Sequence, residues 1–516
     1  MKKTVIFILA CGFVATIHAQ SMEDMEKEYA NFVESEQESY SDFVKKENEA
    51  FKEFLKQEWL QFKEMQGIPA PMKPFPVKPV EYKKPDQPAP VTQIPVAKPT
   101  DVKPIVNSKP VVKPDDKQPL PPIVNKQPTP PVKPDAEKEP ETVQKEPVKQ
   151  PQPVPIMSGK FVTFDFYGTE ESIPYTSAMK FKLGGTSEKY VSDVWGKLAD
   201  SDYMPTIDAL KKSKTDNMLN DWAYYLLTKH FAESFTNGME TDESVTLQMF
   251  LLAQSGYRAK IARKNNQLIL LLGTKQLIYQ RSFLTLNDVK YYVLTDRKSE
   301  GNSLSTYKSD FSVAKNVVDM DIESPMKSPV EQTKKSRTSR MDISTQTVVN
   351  KRLMDFYKDY PQCDFKVYMR APMSRELQKS LLPTLKKSIA GKSQKDAANL
   401  LINYVQTAFD YKTDGEQFGY EKPFFVDELF YYPYSDCEDR SILFSYLVRE
   451  LMGMDVVLLD YPNHIATAVR FTENIDGDFL QHKGKKYIIC DPTYIGASIG
   501  VCMPKFKNTP ANVIER

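Results

Sequence analysis

Aromatic residues near the start of the chain recur every eleven positions. Tyr29, Tyr40, Phe51 and Phe62 form one register, and Phe32, Phe43, Phe54 and Met65 a second, followed by Val33, Val44 and Leu55. Eleven residues complete three turns at 3.67 per turn, so the spacing predicts one helix over 22–65 with a nearly straight aromatic stripe. The same stretch holds 13 Asp/Glu and 6 Lys. A charged helix with one aromatic face cannot bury that face alone, so self-association or docking on a partner is expected. Gly67 and Pro69 end the pattern.

Apolar periodicity then disappears. Residues 66–156 hold 25 of the 38 prolines, with 14 Lys against 10 Asp/Glu, in short units such as "PVKPV", "VVKPD" and "PVKPD". With no core to bury, this reads as a disordered, polyproline-rich linker. At about 3.1 Å per residue it could reach at most about 280 Å.

From Gly159 onward the pattern is that of a globular chain. Phe161 to Phe166 alternates as a strand. Helices are predicted near 205–213, 216–235 and 242–255, and strands near 258–263, 267–273, 276–282 and 290–296. Further helices are predicted near 374–389 and 395–410, the second capped by Ser393 and Asp396. A long aromatic loop, 411–434, follows.

The globular part repeats itself. Under a shift of 197, 256-GYRAKIA falls on 453-GMDVVLL and 264-KNNQLILLL on 461-YPNHIATAV. Under a shift of 195, 290-KYYVLTD falls on 485-KKYIICD. Each half reads helix, Gly stop, strands, and a strand ending in Asp, which suggests two copies of one α+β module. In this alignment Glu240 stands where the second half has Cys437, Gln267 where it has His464, and Asp296 where it has Asp491. The first copy would then lack a nucleophile and a base.

Composition adds a compartment. Lys2 and Lys3 followed by an apolar run, Val5 to Ile17, and a small residue before Gln20 have the form of an export signal. The run is shorter than the about 20 residues of a membrane anchor, and no other stretch could span a bilayer. A lipoprotein cleavage before Cys11 is disfavoured by the short apolar run ahead of it. The expected destination is periplasmic or secreted. The formal charge of +1 gives no nucleic-acid signal. Four cysteines remain beyond the signal, Cys363, Cys437, Cys490 and Cys502, too few for a disulfide framework in an exported chain this long.

One of these is unusual. In 434-YSDCEDRSILFSYLVRELMG-453, Cys437 lies among carboxylates where a loop becomes a helix. Ser435 or Asp436 can cap that helix, with Glu438 or Asp439 completing a capping box. A helix N-terminus favours a thiolate, whereas the flanking carboxylates oppose it, so a cationic imidazole is needed nearby. His464 opens an alternating strand after Pro462-Asn463 and is the best candidate base. Asp491 ends the strand 486-KYIIC-490 and could orient that imidazole. A nucleophile, a base and an orienting carboxylate are the parts of thiol acyl transfer.

The stretches "YSDCEDRSILFSYLVRELMGMDVVLL", "YPNHIATAVRF" and "KYIICDPTY", with "AANLLINYVQTAFDYKTD" upstream, resemble a transglutaminase-like domain of the papain-like cysteine-protease superfamily. The resemblance covers about residues 365–500. It implies a papain-like fold and a triad of Cys437, His464 and Asp491. It further implies an oxyanion site made by backbone N–H and an upstream side chain, for which Tyr432 and Tyr434 are both candidates. No cofactor is expected, and no residue here identifies a calcium site, so calcium dependence does not carry over from the resemblance.

The organisation expected is an export signal at 1–19, an acidic helix at 20–66 and a linker at 67–157. A degenerate transglutaminase-like copy at 158–345 and a copy with the triad at 346–516 complete it. The function expected is an exported cysteine peptidase or amidase acting on a peptide or protein substrate. Hydrolysis is favoured over cross-linking because water is always present. The alternatives are a cross-linking transglutaminase, an amidase on cell-wall peptides, and a non-catalytic envelope scaffold. Self-association through 22–65 and cell-wall contact are the partner expectations.

Overall fold

Four two-residue turns set the layout of both halves. Lys264 pairs with Gln267 across Asn265 and Asn266, and Leu286 with Val289 across Asn287 and Asp288. All four turn residues have positive φ, which matches the twist of a tight hairpin. In the second half Tyr461 pairs with His464 across Pro462 and Asn463, and His482 with Lys485 across Lys483 and Gly484. The computed structural model describes residues 22–69, 92–97, 160–236, 238–298, 301 and 303–516. The expected export signal and most of the Pro/Lys-rich stretch lie outside the described residues.

The described chain begins with helix α1 (Met22–Leu55) and three short strands, β1 (Leu60–Phe62), β2 (Gln66–Gly67) and β3 (Gln93–Ile94). A hairpin, β4 (Lys160–Phe166) and β5 (Thr169–Tyr175), leads into helices α2 (Glu188–Ala199), α3 (Met204–Asp216), α4 (Asp221–Thr236) and α5 (Asp242–Gln254). Strands β6 (Ala259–Lys264), β7 (Gln267–Gly273), β8 (Ser282–Leu286), β9 (Val289–Leu294) and β10 (Leu304–Thr306) follow.

The second half opens on a hairpin, β11 (Gln332–Thr338) and β12 (Ser344–Asn350). It continues through helices α6 (Lys351–Lys358), α7 (Phe365–Arg370), α8 (Arg375–Ile389) and α9 (Gln394–Thr407). Then come β13 (Asp410–Tyr411), α10 (Asp414–Gln417), α11 (Val426–Tyr431), β14 (Tyr434–Ser435) and α12 (Cys437–Met452). Strands β15 (Asp455–Tyr461), β16 (His464–Arg470), β17 (Phe479–His482), β18 (Lys485–Cys490) and β19 (Asn512–Ile514) complete it. The protein is thus mixed α and β.

The two main sheets share an order. One runs β1-β10-β6-β7-β9-β8-β2 and the other β19-β15-β16-β18-β17-β3. In each, a helix leads into four antiparallel strands with the last two swapped in space, and extra strands cover the edges. Both sheets curl. Only Lys63, Glu64 and Met65 separate β1 from β2, which hold opposite edges of the first sheet. That link spans at most about 14 Å, so the edges come together. In the second sheet Val96, just past β3, bridges Ala511, just before β19.

Each curled sheet encloses its own apolar filling. Met65, Ile269, Leu271, Leu284 and Tyr291 fill the first, and Ile94, Leu459, Ala468, Ile489 and Phe506 the second. Helices pack on the opposite faces, where one continuous apolar core runs from Phe51 through Trp195, Phe250, Phe356 and Leu443 to Ile499.

Several expected elements shift. The first helix stops at Leu55 rather than 65, because the Trp59 indole caps the Leu55 carbonyl at 3.3 Å and the following residues join sheet edges. The strand expected at 276–282 lies at 282–286, since the preceding amides are committed elsewhere: Lys275 to Val318 and Gln280 to Ile68. Gln93 and Ile94, inside the expected linker, pair with Phe479 and Leu480.

The aromatic stripe of α1 divides. Phe51 is buried against Trp195 at 4.7 Å and Phe311 at 5.4 Å, whereas Tyr29, Phe32, Tyr40 and Phe43 are exposed. Among the described residues no helix is long and apolar enough to cross a membrane.

Candidate functional site

Helix α12 begins where the sequence supplies its cap. Asp436 is the N-cap, and its amide donates to Oδ2 of Asp439 at 3.1 Å. Cys437 is the first helical residue, where backbone N–H groups have no intrahelical acceptor. The helix axis is held against the outer face of the second sheet by Ile442, Leu443 and Leu447, and Ser441 donates to the Ile465 carbonyl at 3.0 Å. Gly453 in the left-handed region ends it.

This anchoring brings Cys437 to the start of β16. His464 opens β16 and Asp491 directly follows the neighbouring β18, and His464 Nε2 lies 2.8 Å from Asp491 Oδ2. Asp491 Oδ1 accepts the amides of Thr493 at 2.9 Å and Tyr494 at 3.2 Å, which fixes the carboxylate. The other ring nitrogen, Nδ1, is left for the sulfur. Burial opposes a charge on His464, but the Asp491 carboxylate outweighs it and a hydrogen bond with Cys437 adds to the effect. The imidazole pKa is pushed up to about 10. The three side chains expected to converge do so, and all are enclosed: Cys437 is 4 % exposed, His464 1 % and Asp491 2 %.

The sulfur has a second neighbour, and Cys437 Sγ lies 3.3 Å from Glu438 Oε2. A thiol has one proton, so it can donate to Glu438 or to His464 but not to both. Arg440, fully buried, stands behind this acidic turn. It donates to Ser435 Oγ at 3.1 Å and to the Phe409 carbonyl at 2.8 Å. Burial lowers its pKa, to about 10, while Tyr411, Asp436 and Asp439 support its charge.

The two tyrosines expected upstream are engaged elsewhere. Tyr432 stacks on Phe424 at 5.0 Å and meets Phe418 at 5.2 Å. Tyr434 lies under Lys412, whose Nζ is 4.0 Å from its ring centroid. The phenol close enough to feel the sulfur is Tyr411, raised first by burial and then by the Cys437 charge. It reaches the site because β13 pairs with β14, Tyr411 opposite Ser435. A two-residue strand carries no periodicity and so leaves no mark in the sequence pattern.

A second unforeseen contact comes from the C-terminal segment. The Phe506 ring lies parallel to His464, with centroids 5.0 Å apart and planes 4° apart.

Among the described residues the other cysteines, Cys363, Cys490 and Cys502, are buried and free. Burial raises the thiol pKa of each, that of Cys502 to about 12.

Several acidic groups stand close enough to hold a cation. Ligand atoms of Asp414, Asp436 and Asp439 lie within 4.8 Å of one another, as do those of Asp414, Glu421 and Glu438, and of Asp436, Cys437 and Glu438. Much of this oxygen is already used by the main chain: Asp414 accepts the Lys422 amide at 2.6 Å, and Asp439 the Phe424 amide at 2.9 Å.

The first half has a different locus at the corresponding place. Ala259 pairs with Leu272 as Val456 pairs with Val469, an offset of 197. Phe283 pairs with Tyr292 as Phe479 pairs with Ile488, an offset of 196 rather than the expected 195. The first half has one residue more between its second and third strands. Thr295, not Asp296, therefore falls at the position of Asp491. Thr295 donates to Glu240, whose carboxylate also accepts from the Asp296 amide at 2.8 Å and Arg297 Nε at 3.1 Å. Arg297 also reaches Asp242 at 2.7 Å. Where the second half has sulfur and imidazole, the first has a carboxylate–guanidinium clamp.

The chain matches no family model, no curated protein and no solved structure with which it was compared.

Proposed function

We propose that the protein is an exported enzyme of thiol acyl transfer, a cysteine peptidase or amidase acting on peptide or protein carboxamides. The reading holds that a papain-like, transglutaminase-like module is present twice and is active only in its second copy. Its main support is the convergence of Cys437, His464 and Asp491 around one imidazole. The shared strand order of the two sheets supports the duplication.

In this mechanism His464 takes the thiol proton and Cys437 attacks the carbonyl carbon. The oxyanion is met by the first amides of α12, and His464 then returns the proton to the leaving amine. Water resolves the thioester in a hydrolase and a second amine in a cross-linker. Asp491 holds the imidazole throughout.

The enclosure of all three side chains favours a second reading, in which the triad is kept as a buried hydrogen-bonded unit and the domain binds without turnover. Iodoacetamide labelling, resolved by peptide mass, separates the two. An active site requires Cys437 to alkylate faster than Cys363, Cys490 and Cys502, and more slowly on acidification. Cys437→Ala should abolish turnover of a peptide-amide library with the fold intact. Equal, slow labelling of all four thiols would remove the enzymatic reading.

A further inference from the structure

The chain beyond β18 turns back over the triad along a built path. Gly477 and Gly500 touch: a Cβ added to Gly477 would lie 2.5 Å from the Gly500 Cα, and both residues have φ values that favour glycine. The amide of Asp478 donates to the Gly500 carbonyl at 2.8 Å, and the Gly500 amide to the Ile489 carbonyl at 2.7 Å. The fully buried Asp478 carboxylate accepts the Cys502 amide at 2.8 Å and pairs with Lys507 Nζ at 3.1 Å. One helical turn follows, closed by the Phe506 amide on the Met503 carbonyl at 2.9 Å. Six fixed contacts thus place one ring.

That ring is Phe506, 5 % exposed, lying flat on His464 and stacked on Tyr461 at 4.6 Å. The Asp491 hydrogen bond fixes one atom of the imidazole but not the plane of its ring. A flat aromatic neighbour fixes the plane. Its π face also attracts a cation, so it favours imidazolium over imidazole.

We propose that Phe506 is a positioning residue for His464, setting the plane of the imidazole between Asp491 and Cys437 and stabilising its protonated form. The inference rests on the acyl-transfer reading for its catalytic meaning, but its physical content is separate from turnover.

The groups that bear on the His464 charge come from every side. Asp491 faces it from just past β18 and Cys437 from α12, with Glu438 on the sulfur. Tyr461 is its cross-strand neighbour, and Cys502 lies beside Tyr461. On the C-terminal segment are Lys507, paired with Asp478 from just before β17, and Lys505, whose Nζ lies 4.5 Å from the Phe506 centroid. Changing Phe506 removes none of these groups, but Lys505 and Tyr461 lose the ring they face, and Phe506→Tyr restores it to both.

The test is a histidine-ring NMR titration of the full chain carrying Phe506→Leu or Phe506→Tyr. His464 is assigned by loss of its signal in His464→Gln. In Phe506→Leu the His464 ring should bind its proton about 3- to 30-fold more weakly than in the parent. Phe506→Tyr, which keeps the ring face, should restore the parent value. Phe506→Met repeats the test with little change in packing volume if the leucine variant folds poorly.

An unchanged His464 titration in the folded leucine or methionine variant would overturn the assignment. So would a tyrosine variant that behaves like leucine. Iodoacetamide labelling on the same samples tests the enzymatic reading by itself: slow Cys437 labelling in the parent would sink that reading while the titration still decides the role of Phe506.

Discussion

Arg440 donates to the Phe409 carbonyl at 2.8 Å from a side chain with no solvent exposure. The contact ties the second turn of α12 to the loop after α9, and it places a cation behind the acidic turn that carries Cys437. Removing it would leave Asp436 and Asp439 buried without that charge. Arg440→Ala should destabilise the protein by about 3–5 kcal/mol, read from urea midpoints. Arg440→Lys should recover little, because a single ammonium cannot span Ser435 and two carbonyls. Full recovery by lysine would show that only the charge matters.

The protonated imidazole makes a stability statement. His464 has a folded pKa of about 10, above its unfolded value of about 6.5. A group raised in this way stabilises fully below pH 6.5, and its contribution is lost as pH rises through 10. The stability gap between the parent and His464→Gln should therefore shrink steadily from pH 6 to pH 10. A gap that is constant across this range would mean that the ring is neutral in the folded state.

The close approach of Gly477 and Gly500 leaves no room for a methyl group. Gly477→Ala must move the backbone of the C-terminal segment, at a cost of at least about 1–3 kcal/mol. It should also release Phe506 from His464, so thermal melting and the His464 NMR signal should change together. Unaltered melting would show that the two loops can separate freely.

The divided stripe of α1 predicts two different responses. Phe51→Ala empties a site between Trp195, Tyr307 and Phe311 and should cost about 3–5 kcal/mol. Phe32→Ala removes a ring that is 60 % exposed and should leave the stability of the body unchanged. If the exposed part of the stripe joins two copies, the same Phe32 change should weaken self-association measured by sedimentation. A monomer at all concentrations would exclude that role.

The elements that could be read in the sequence are those whose signals are local. The strand at 267–273 lies where its continuous apolar run was expected to form one, and the Ser393–Asp396 cap forms with Asp396 N donating to Ser393 Oγ at 3.1 Å. The approach of Cys437, His464 and Asp491 was legible because each sits at an element terminus that its own flanking residues define. Tyr411 and Phe506 were not. The first lies in a strand of two residues, and the second in a single helical turn. Both are placed by partners far away in sequence. The same holds for β1, β2 and β3, whose two or three residues become strands only because a sheet edge exists to receive them. Arg440 was legible as part of a helix but not as a buried cation, since a helix whose every face is covered shows little periodicity.

The placement of β3 has a bearing on how the molecule is assembled. Gln93 pairs with Phe479, 386 positions further along. At ordinary rates of synthesis, roughly 20–80 s separate the two residues. The segment made early must wait, solvated and uncommitted, for the sheet that will receive it. The sequence around it is dense in proline and lysine, and proline has no amide N–H to offer a competing strand in the meantime. The final closure of the second sheet is therefore an event of chain completion rather than of local hairpin formation, and a ribosome-stalled or truncated product should leave that edge open.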